Sequence, residues 1–328
     1  MIEIKQWLRR IGTPLLGGAI SVAALWLTFR GIDWSQVTET LRKVSFSTIA
    51  LLSLLNILFL FARAYRWQWL LKPIAPIPFS VTYHLSQIGA LANNILPLRI
   101  GEIVRALVLK QRFGISGART VGNIVLERVL DLIALIIMLM IAMTIGSFPA
   151  AFQQYARFSI TIVLAALAVF LILSWLHRRK VRKQGEATTG FGALYGRMMV
   201  GMGGLQIWRS SLPALLVTFL MWLIGAATFL PFAGDLGLPI TWKEAIAVTI
   251  LTALGATIPA APGFVGTYHL FCKLGLVAYG VPEEQAVVIA VLTHFFSYFW
   301  NNVSGVISMI IFKLHWRDIL HVKTNSTS

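Results

Sequence analysis

Asn93-Asn94-Ile95-Leu96-Pro97-Leu98-Arg99-Ile100-Gly101-Glu102 interrupts one long apolar stretch of the chain. Ala256-Thr257-Ile258-Pro259-Ala260-Ala261-Pro262-Gly263-Phe264-Val265-Gly266 interrupts another, in the corresponding place of the second half. Proline lacks a backbone N–H and clashes with the preceding helical turn, so neither stretch passes through as one straight helix. In a bilayer, broken backbone survives only where protein or a water-filled cavity satisfies it. Paired interruptions in two halves therefore predict a transport site near the membrane midplane.

The bilayer itself follows from composition. Of the 328 residues 57% are hydrophobic and 12% charged, and the mean hydropathy is +0.78, far from the balance of a soluble domain. Apolar runs near 11–29, 46–62, 119–145, 155–176, 210–231 and 285–312 are long enough to span, at about 17–25 residues each. Two shorter runs, 81–96 and 243–258, end at the proline breaks. The first run has the length and flanks of a spanning helix rather than a cleaved signal. The expectation is a single integral membrane domain over 1–328, all-α, with about six spanning helices and two broken re-entrant segments. The stretch 177–208 reads as an amphipathic or flexible connector. The lone Cys272 excludes an internal disulfide, no Cys/His spacing suggests a metal, and no cofactor is expected.

The net charge of +16 suggests nucleic acid until its placement is considered. Arg and Lys sit beside the ends of apolar runs. With both termini cytoplasmic and each short run returning to its own side, most of the 28 basic residues fall inside, which is the positive-inside pattern. A full crossing at 81–112 would export the basic run His177-Arg178-Arg179-Lys180-Val181-Arg182-Lys183, so the re-entrant topology is preferred. No nucleic-acid partner is expected. Trp7, Trp26, Trp34, Trp67, Trp69, Trp175, Trp208 and Trp316 read as an aromatic belt, and Arg63-Ala64-Tyr65-Arg66-Trp67 as an interfacial anchor.

The halves also align. Gly114-Ile115 precedes Glu127-Arg128 and Asp131; Gly280-Val281 precedes Thr293-His294 and Ser297. One offset, 166, carries Gly114 to Gly280, Glu127 to Thr293 and Asp131 to Ser297. In the topology above the first short segment enters from inside and the second from outside. Half-repeats near 46–145 and 210–312 are thus expected to be inverted, the arrangement that lets halves rock about a shared site.

Pro97-Leu98-Arg99-Ile100-Gly101-Glu102, Glu127-Arg128-Val129-Leu130-Asp131 and Ile258-Pro259-Ala260-Ala261-Pro262-Gly263-Phe264-Val265-Gly266 resemble the signatures of the lysylphosphatidylglycerol synthase transmembrane-region family. That is the flippase-like part of the multiple peptide resistance factor. The likeness runs over roughly residues 10 to 315 and implies a multi-pass bacterial or archaeal membrane protein that moves lipids. Bifunctional members carry a soluble aminoacyl-transferase domain after the membrane region, whereas this sequence stops at Ser328, so lysyl transfer is not expected. His294 stands where similar sequences often carry arginine.

A helix restarting after Pro97 aligns Arg99, Glu102 and Arg105 along one side. Its N-terminal N–H groups, with Arg99, suit a phosphate; the plainer alternative makes Arg99 and Arg105 inside anchors paired by Glu102. Glu127 and Asp131 lie four apart, with Arg128 adjoining. They are expected to pair with Arg99 or Arg105, the alternative being proton uptake during transport. In the second break, Gly263 and Gly266 permit close approach of backbone to a ligand. Pro259 and Pro262 break the helix, and a new one starts near Gly266. His269 reads as an interfacial hydrogen-bonding group or a proton shuttle; His294, Asn301 and Asn302 read as interhelical hydrogen-bonders. The function expected is translocation of an anionic lipid, a phospholipid or a polyprenyl-phosphate-linked sugar. The alternatives are a lipid-modifying membrane enzyme, or a partner of a glycosyltransferase or lipid synthase; a homo-oligomer is a further possibility. No Walker-type nucleotide motif is present, so an ion gradient or the lipid gradient would supply the energy.

Overall fold

The computed structural model describes residues 2–96, 100–144, 148–184, 190–202, 208–258 and 260–314. These are helical throughout, with no strand among them. Chain order is α1 (Ile2–Phe29), α2 (Trp34–Lys43), α3 (Phe46–Leu71), α4 (Phe79–Ile95), α5 (Ile100–Phe113), α6 (Gly117–Thr144) and α7 (Gln153–Gln184). There follow α8 (Gly190–Gly201), α9 (Trp208–Ala227), α10 (Pro231–Leu236), α11 (Trp242–Gly255), α12 (Thr267–Val277) and α13 (Glu283–Phe312).

Local chemistry sets the boundaries. The Asp33 carboxylate accepts from the backbone N–H of Ser35 and caps α2, Ser45 caps α3 through Thr48, and Thr241 with Glu244 forms a capping box on α11. Pro231 occupies the first turn of α10, where its missing N–H costs nothing. The helices α5 and α12 both close on a left-handed glycine, Gly114 at φ 66° and Gly280 at φ 80°. After each, a buried apolar residue folds its N–H back into the helix end, Ile115 to the Leu109 carbonyl and Val281 to that of Leu276, as a Schellman-type stop requires.

The α3 helix, α9–α10 (Ser210–Leu236) and α13 are long and apolar enough to cross a membrane. The α1–α2 pair, bent by 83°, makes a fourth candidate. The α6 helix has 28 residues but carries Arg119, Glu127, Arg128 and Asp131. The outer faces of the long helices expose Leu54, Ile141, Leu216 and Ile310, as expected where the surrounding solvent is acyl chain. The stretch expected as an amphipathic or flexible connector is helical where described: α7 runs on to Gln184 and α8 packs against α6.

Both short segments are helical hairpins. The α4 and α5 helices fold back on each other around Leu85, Ile88, Leu91, Val104 and Leu109, and α11 and α12 around Val248, Cys272 and Leu276. Lipid tails are as apolar as leucine, so helix contacts here depend on close packing of small residues. Gly101 lies so near Gly89 that a Cβ on it would collide with the Gly89 carbonyl, and a Cβ on Gly255 would collide with the Phe271 ring.

Candidate functional site

Helices α3, α5 and α6 bring their charges to one buried place. Arg66 Nη1 donates to Asp131 Oδ1 at 2.5 Å, and its Nη2 lies 4.0 Å from Glu127 Oε2. Arg105 grips the same Glu127 with both terminal nitrogens, at 2.9 Å and 3.5 Å. Arg128 approaches Glu102 at 3.7 Å, Glu127 at 3.6 Å and Asp131 at 3.3 Å. Glu127, with 1% of its side chain exposed, is the hub, within reach of three guanidinium groups. The Arg105 guanidinium also sits 4.4 Å from the centre of the Trp67 indole. Trp67 Nε1 donates to Asn123 Oδ1 and Asn123 Nδ2 to the Leu70 carbonyl, which fixes that ring.

The tips of the two hairpins meet. Tyr298, near the middle of α13, donates its hydroxyl to the Asn94 carbonyl at the first tip, 3.4 Å away, and its ring abuts Gly263 at the second. Asn94 Nδ2 donates to Asn302 Oδ1 at 3.2 Å. At the start of α5, Gly101 N–H donates to Asn93 Oδ1 at 2.8 Å, satisfying one of the donors a helix start leaves free. At the start of α12, Gly266 N–H donates to His269 Nδ1 at 3.2 Å. His294 Nε2 lies 2.9 Å from the Gly263 carbonyl; a carbonyl only accepts, so that nitrogen carries the hydrogen. The Tyr268 ring stacks on His294 at 4.8 Å. Ser21 of α1 seals the second tip by accepting from Ala261 N–H at 2.8 Å. Phe264 holds a left-handed backbone at φ 59°, a conformation that costs a non-glycine residue about 1–2 kcal/mol.

The model of the lysylphosphatidylglycerol synthase TM region matches residues 15–305. This chain belongs to that family. Among similar proteins is a UPF0104 membrane protein of Methanocaldococcus jannaschii, 25% identical over 241 residues, which cover 71% of this chain and 97% of that protein. Another, from Methanothermobacter thermautotrophicus, is 22% identical over 316 residues, or 88% of this chain and 90% of that one.

In this member of the lysylphosphatidylglycerol synthase TM family, Glu102, Arg105, Glu127, Arg128 and Asp131 come together as one network. Arg105 takes Glu127, one of the pairings expected for that carboxylate, whereas Asp131 takes Arg66 and Glu102, which the plainer alternative set between Arg99 and Arg105, faces Arg128. Pro97, Arg99 and Pro259 lie outside the described residues. Pro262, Gly263, Gly266 and His269 lie at the second tip, apart from the charges. His269 is buried and holds the start of α12, which makes it a helix cap rather than an interfacial group. His294, Asn301 and Asn302 make interhelical hydrogen bonds.

Arg63-Ala64-Tyr65-Arg66-Trp67 is not a simple interfacial anchor. Arg66 and Trp67 are 1% and 0% exposed and belong to the network, and Trp67 leaves the aromatic belt. The signal available in sequence was stoichiometric. Glu127 and Asp131 in mid-helix demand cations, and α3 carries two in an otherwise apolar span.

Proposed function

We propose that this protein moves an anionic lipid across the cytoplasmic membrane, passing the headgroup where the two hairpin tips meet while the acyl chains stay in the bilayer. The observation that carries this reading is the meeting of Asn94 and Gly263 at Tyr298. It lies half-way along a 30-residue helix, beside a buried cluster rich in arginine. Irregular backbone at mid-span belongs where a polar path runs, and intramembrane charges default to function.

The reading includes about six spans and cytoplasmic termini, and an inverted repeat of the two halves. Contacts support the repeat as well as sequence does. Shifted by 166, the Gly89–Arg105 contact becomes Gly255–Phe271, and the Glu102–Arg128 pair becomes the Tyr268–His294 stack. Transport is favoured over catalysis because Glu127 and Asp131 are committed to arginines, and a general base needs a free lone pair at its substrate.

The test is translocation in proteoliposomes with quenchable headgroup-labelled phosphatidylglycerol and polyprenyl phosphate. Wild type is expected to render inner-leaflet label accessible to an external quencher, and Arg99→Ala to slow this. Label loss equal to that of empty vesicles with both lipids would overturn the transport reading and advance that of an enzyme or an assembly partner.

A further inference from the structure

Of the four arginines gathered behind the tips, three are matched by carboxylates: Arg66 by Asp131, Arg105 by Glu127, Arg128 by Glu102 and its neighbours. Arg63 is not. Its Nη2 donates to Gln87 Oε1 at 2.8 Å and to Asn301 Oδ1 at 3.0 Å, and both partners are neutral amides. Among the described residues no carboxylate comes within salt-bridge distance of it, although it feels the fields of Arg66, Arg105, Arg128 and Glu127. A guanidinium has five N–H donors. The two on Nη2 are used, while Nε is buried without a partner, as is Nε of Arg66 one helical turn further along α3. Arg63 is half-buried, and a cation partly withdrawn from solvent without a counter-charge is costly to hold, while a buried unpaired donor calls for an explanation.

We infer that Arg63 receives the phosphate of a singly charged phosphodiester, an assignment that rests on the transport reading for its lipid and on local charge for its place. Arg63, Arg66, Arg105 and Arg128 face Glu102, Glu127 and Asp131, so the described cluster carries one surplus positive charge. A phosphodiester carries one negative charge, whereas a phosphomonoester at neutral pH carries about 1.5 to 2. The surplus lies beside the path, because Asn301, which binds Arg63, adjoins Asn302, which binds the first tip at Asn94. Charge-assisted N–H···O⁻ bonds from Nη1, the terminal nitrogen that Gln87 and Asn301 leave unused, are the interaction expected. Arg66 and Arg105, held by carboxylates, position the helices instead.

The experiment is thermal unfolding of the purified full chain in detergent, titrated with phosphatidylglycerol, with diacylglycerol of the same acyl chains, or with soluble glycerophosphoglycerol. Phosphatidylglycerol is expected to raise the melting temperature of wild type and diacylglycerol is not. Arg63→Gln should need about ten- to a hundred-fold more phosphatidylglycerol, the weight of one charge-assisted contact. Asn301→Asp leaves Arg63 in place and gives it a counter-ion, and it should weaken binding in the same way, which keeps the test decisive if Arg63→Gln fails to fold. Without lipid, Arg63→Gln should melt no lower than wild type, since it removes an uncompensated cation; a merely structural arginine would lower it. Protection by glycerophosphoglycerol that Arg63→Gln loses places recognition on the headgroup alone, and protection by the lipid only places it on the membrane-borne form. Equal protection by diacylglycerol, or unchanged phosphatidylglycerol affinity in both variants, overturns the assignment. Vesicle assays separate the two ideas. Arg63-dependent binding without translocation sinks transport and keeps the site, and translocation with unaltered binding does the reverse.

Discussion

Glu127→Gln tests whether the charge network holds α3, α5 and α6 together. The substitution keeps shape and volume, so packing is unchanged and only charge is lost. It leaves Arg105 buried at 6% exposure over Trp67 with no carboxylate in reach, and it leaves Arg66 with Asp131 alone. Removing one member of a buried pair costs about 3–5 kcal/mol, because the other charge remains desolvated. At 1% exposure solvent screening gives no discount. The exposed Lys43–Glu39 pair, at 52% and 66% exposure, is the contrast, and Glu39→Gln should leave the melting temperature close to that of wild type. Taking roughly 2 °C per kcal/mol for a large domain, Glu127→Gln should melt roughly 6–10 °C below wild type. Arg105→Gln in the same chain should restore part of that loss, so the double variant is less damaged than the sum of the two singles. Thermal unfolding in detergent reads all four proteins. A Glu127→Gln melting temperature no lower than that of Glu39→Gln, or strict additivity with Arg105→Gln, would refute the network as a structural element.

Gly101→Ala pushes a methyl group into the Gly89 carbonyl and should destabilise by about 1–3 kcal/mol or more. Gly196→Ala in α8 meets nothing within 4 Å and should stabilise by about 0.5–1 kcal/mol; unfolding midpoints compare the two. Asn94 and Asn302 share a 3.2 Å hydrogen bond, so cysteines placed there, with Cys272→Ser to remove the native thiol, should be bridged by a short bis-thiol-reactive cross-linker. Failure to cross-link in membranes would separate the first tip from α13. Asp33 caps α2, and the Ser35 hydroxyl and backbone N–H hold its carboxyl below the ordinary range. A depressed folded-state value stabilises above the unfolded value and is lost as pH falls through the folded one. Protection of the α2 amides, taken relative to the intrinsic exchange rate at each pH, should therefore be constant near neutrality and fall in acid, and Asp33→Ala should lose that pH dependence.

The breaks were legible because their causes are local. Proline removes a helix hydrogen bond wherever it sits, although α9 runs on through Pro213, and Gly114 and Gly280 end helices through their own backbone freedom. The Arg63 and Arg66 partners were not. Arg-Ala-Tyr-Arg-Trp after an apolar run has the composition of an interfacial anchor, and what overrides that lies 24, 65 and 238 residues away at Gln87, Asp131 and Asn301. The packing of α8 was hidden for a related reason. Glycine reads as flexibility locally, yet Gly201 and Gly122 let α8 and α6 approach to backbone contact with Arg119 and Met198.

The two halves keep one contact geometry and different chemistry. At matched positions the first hairpin joins its following helix by Glu102–Arg128 and Arg105–Glu127. The second has the Tyr268–His294 stack in place of Glu102–Arg128, with a Tyr268–Thr293 hydrogen bond beside it. Among the described residues its one ion pair to α13, Lys273–Glu283, lies at the end of α12 away from the tip. Near the tip the aromatic version suffices, so the charged version there has something further to explain. Under the transport reading the difference has a use. An anion gripped by guanidinium groups from both tips would enter readily and leave slowly, whereas passage needs binding weak enough to release. With cations on one side and neutral rings on the other, the headgroup meets a single attractive wall, and its residence time is set by Arg63, the arginine of the described cluster that has no carboxylate of its own.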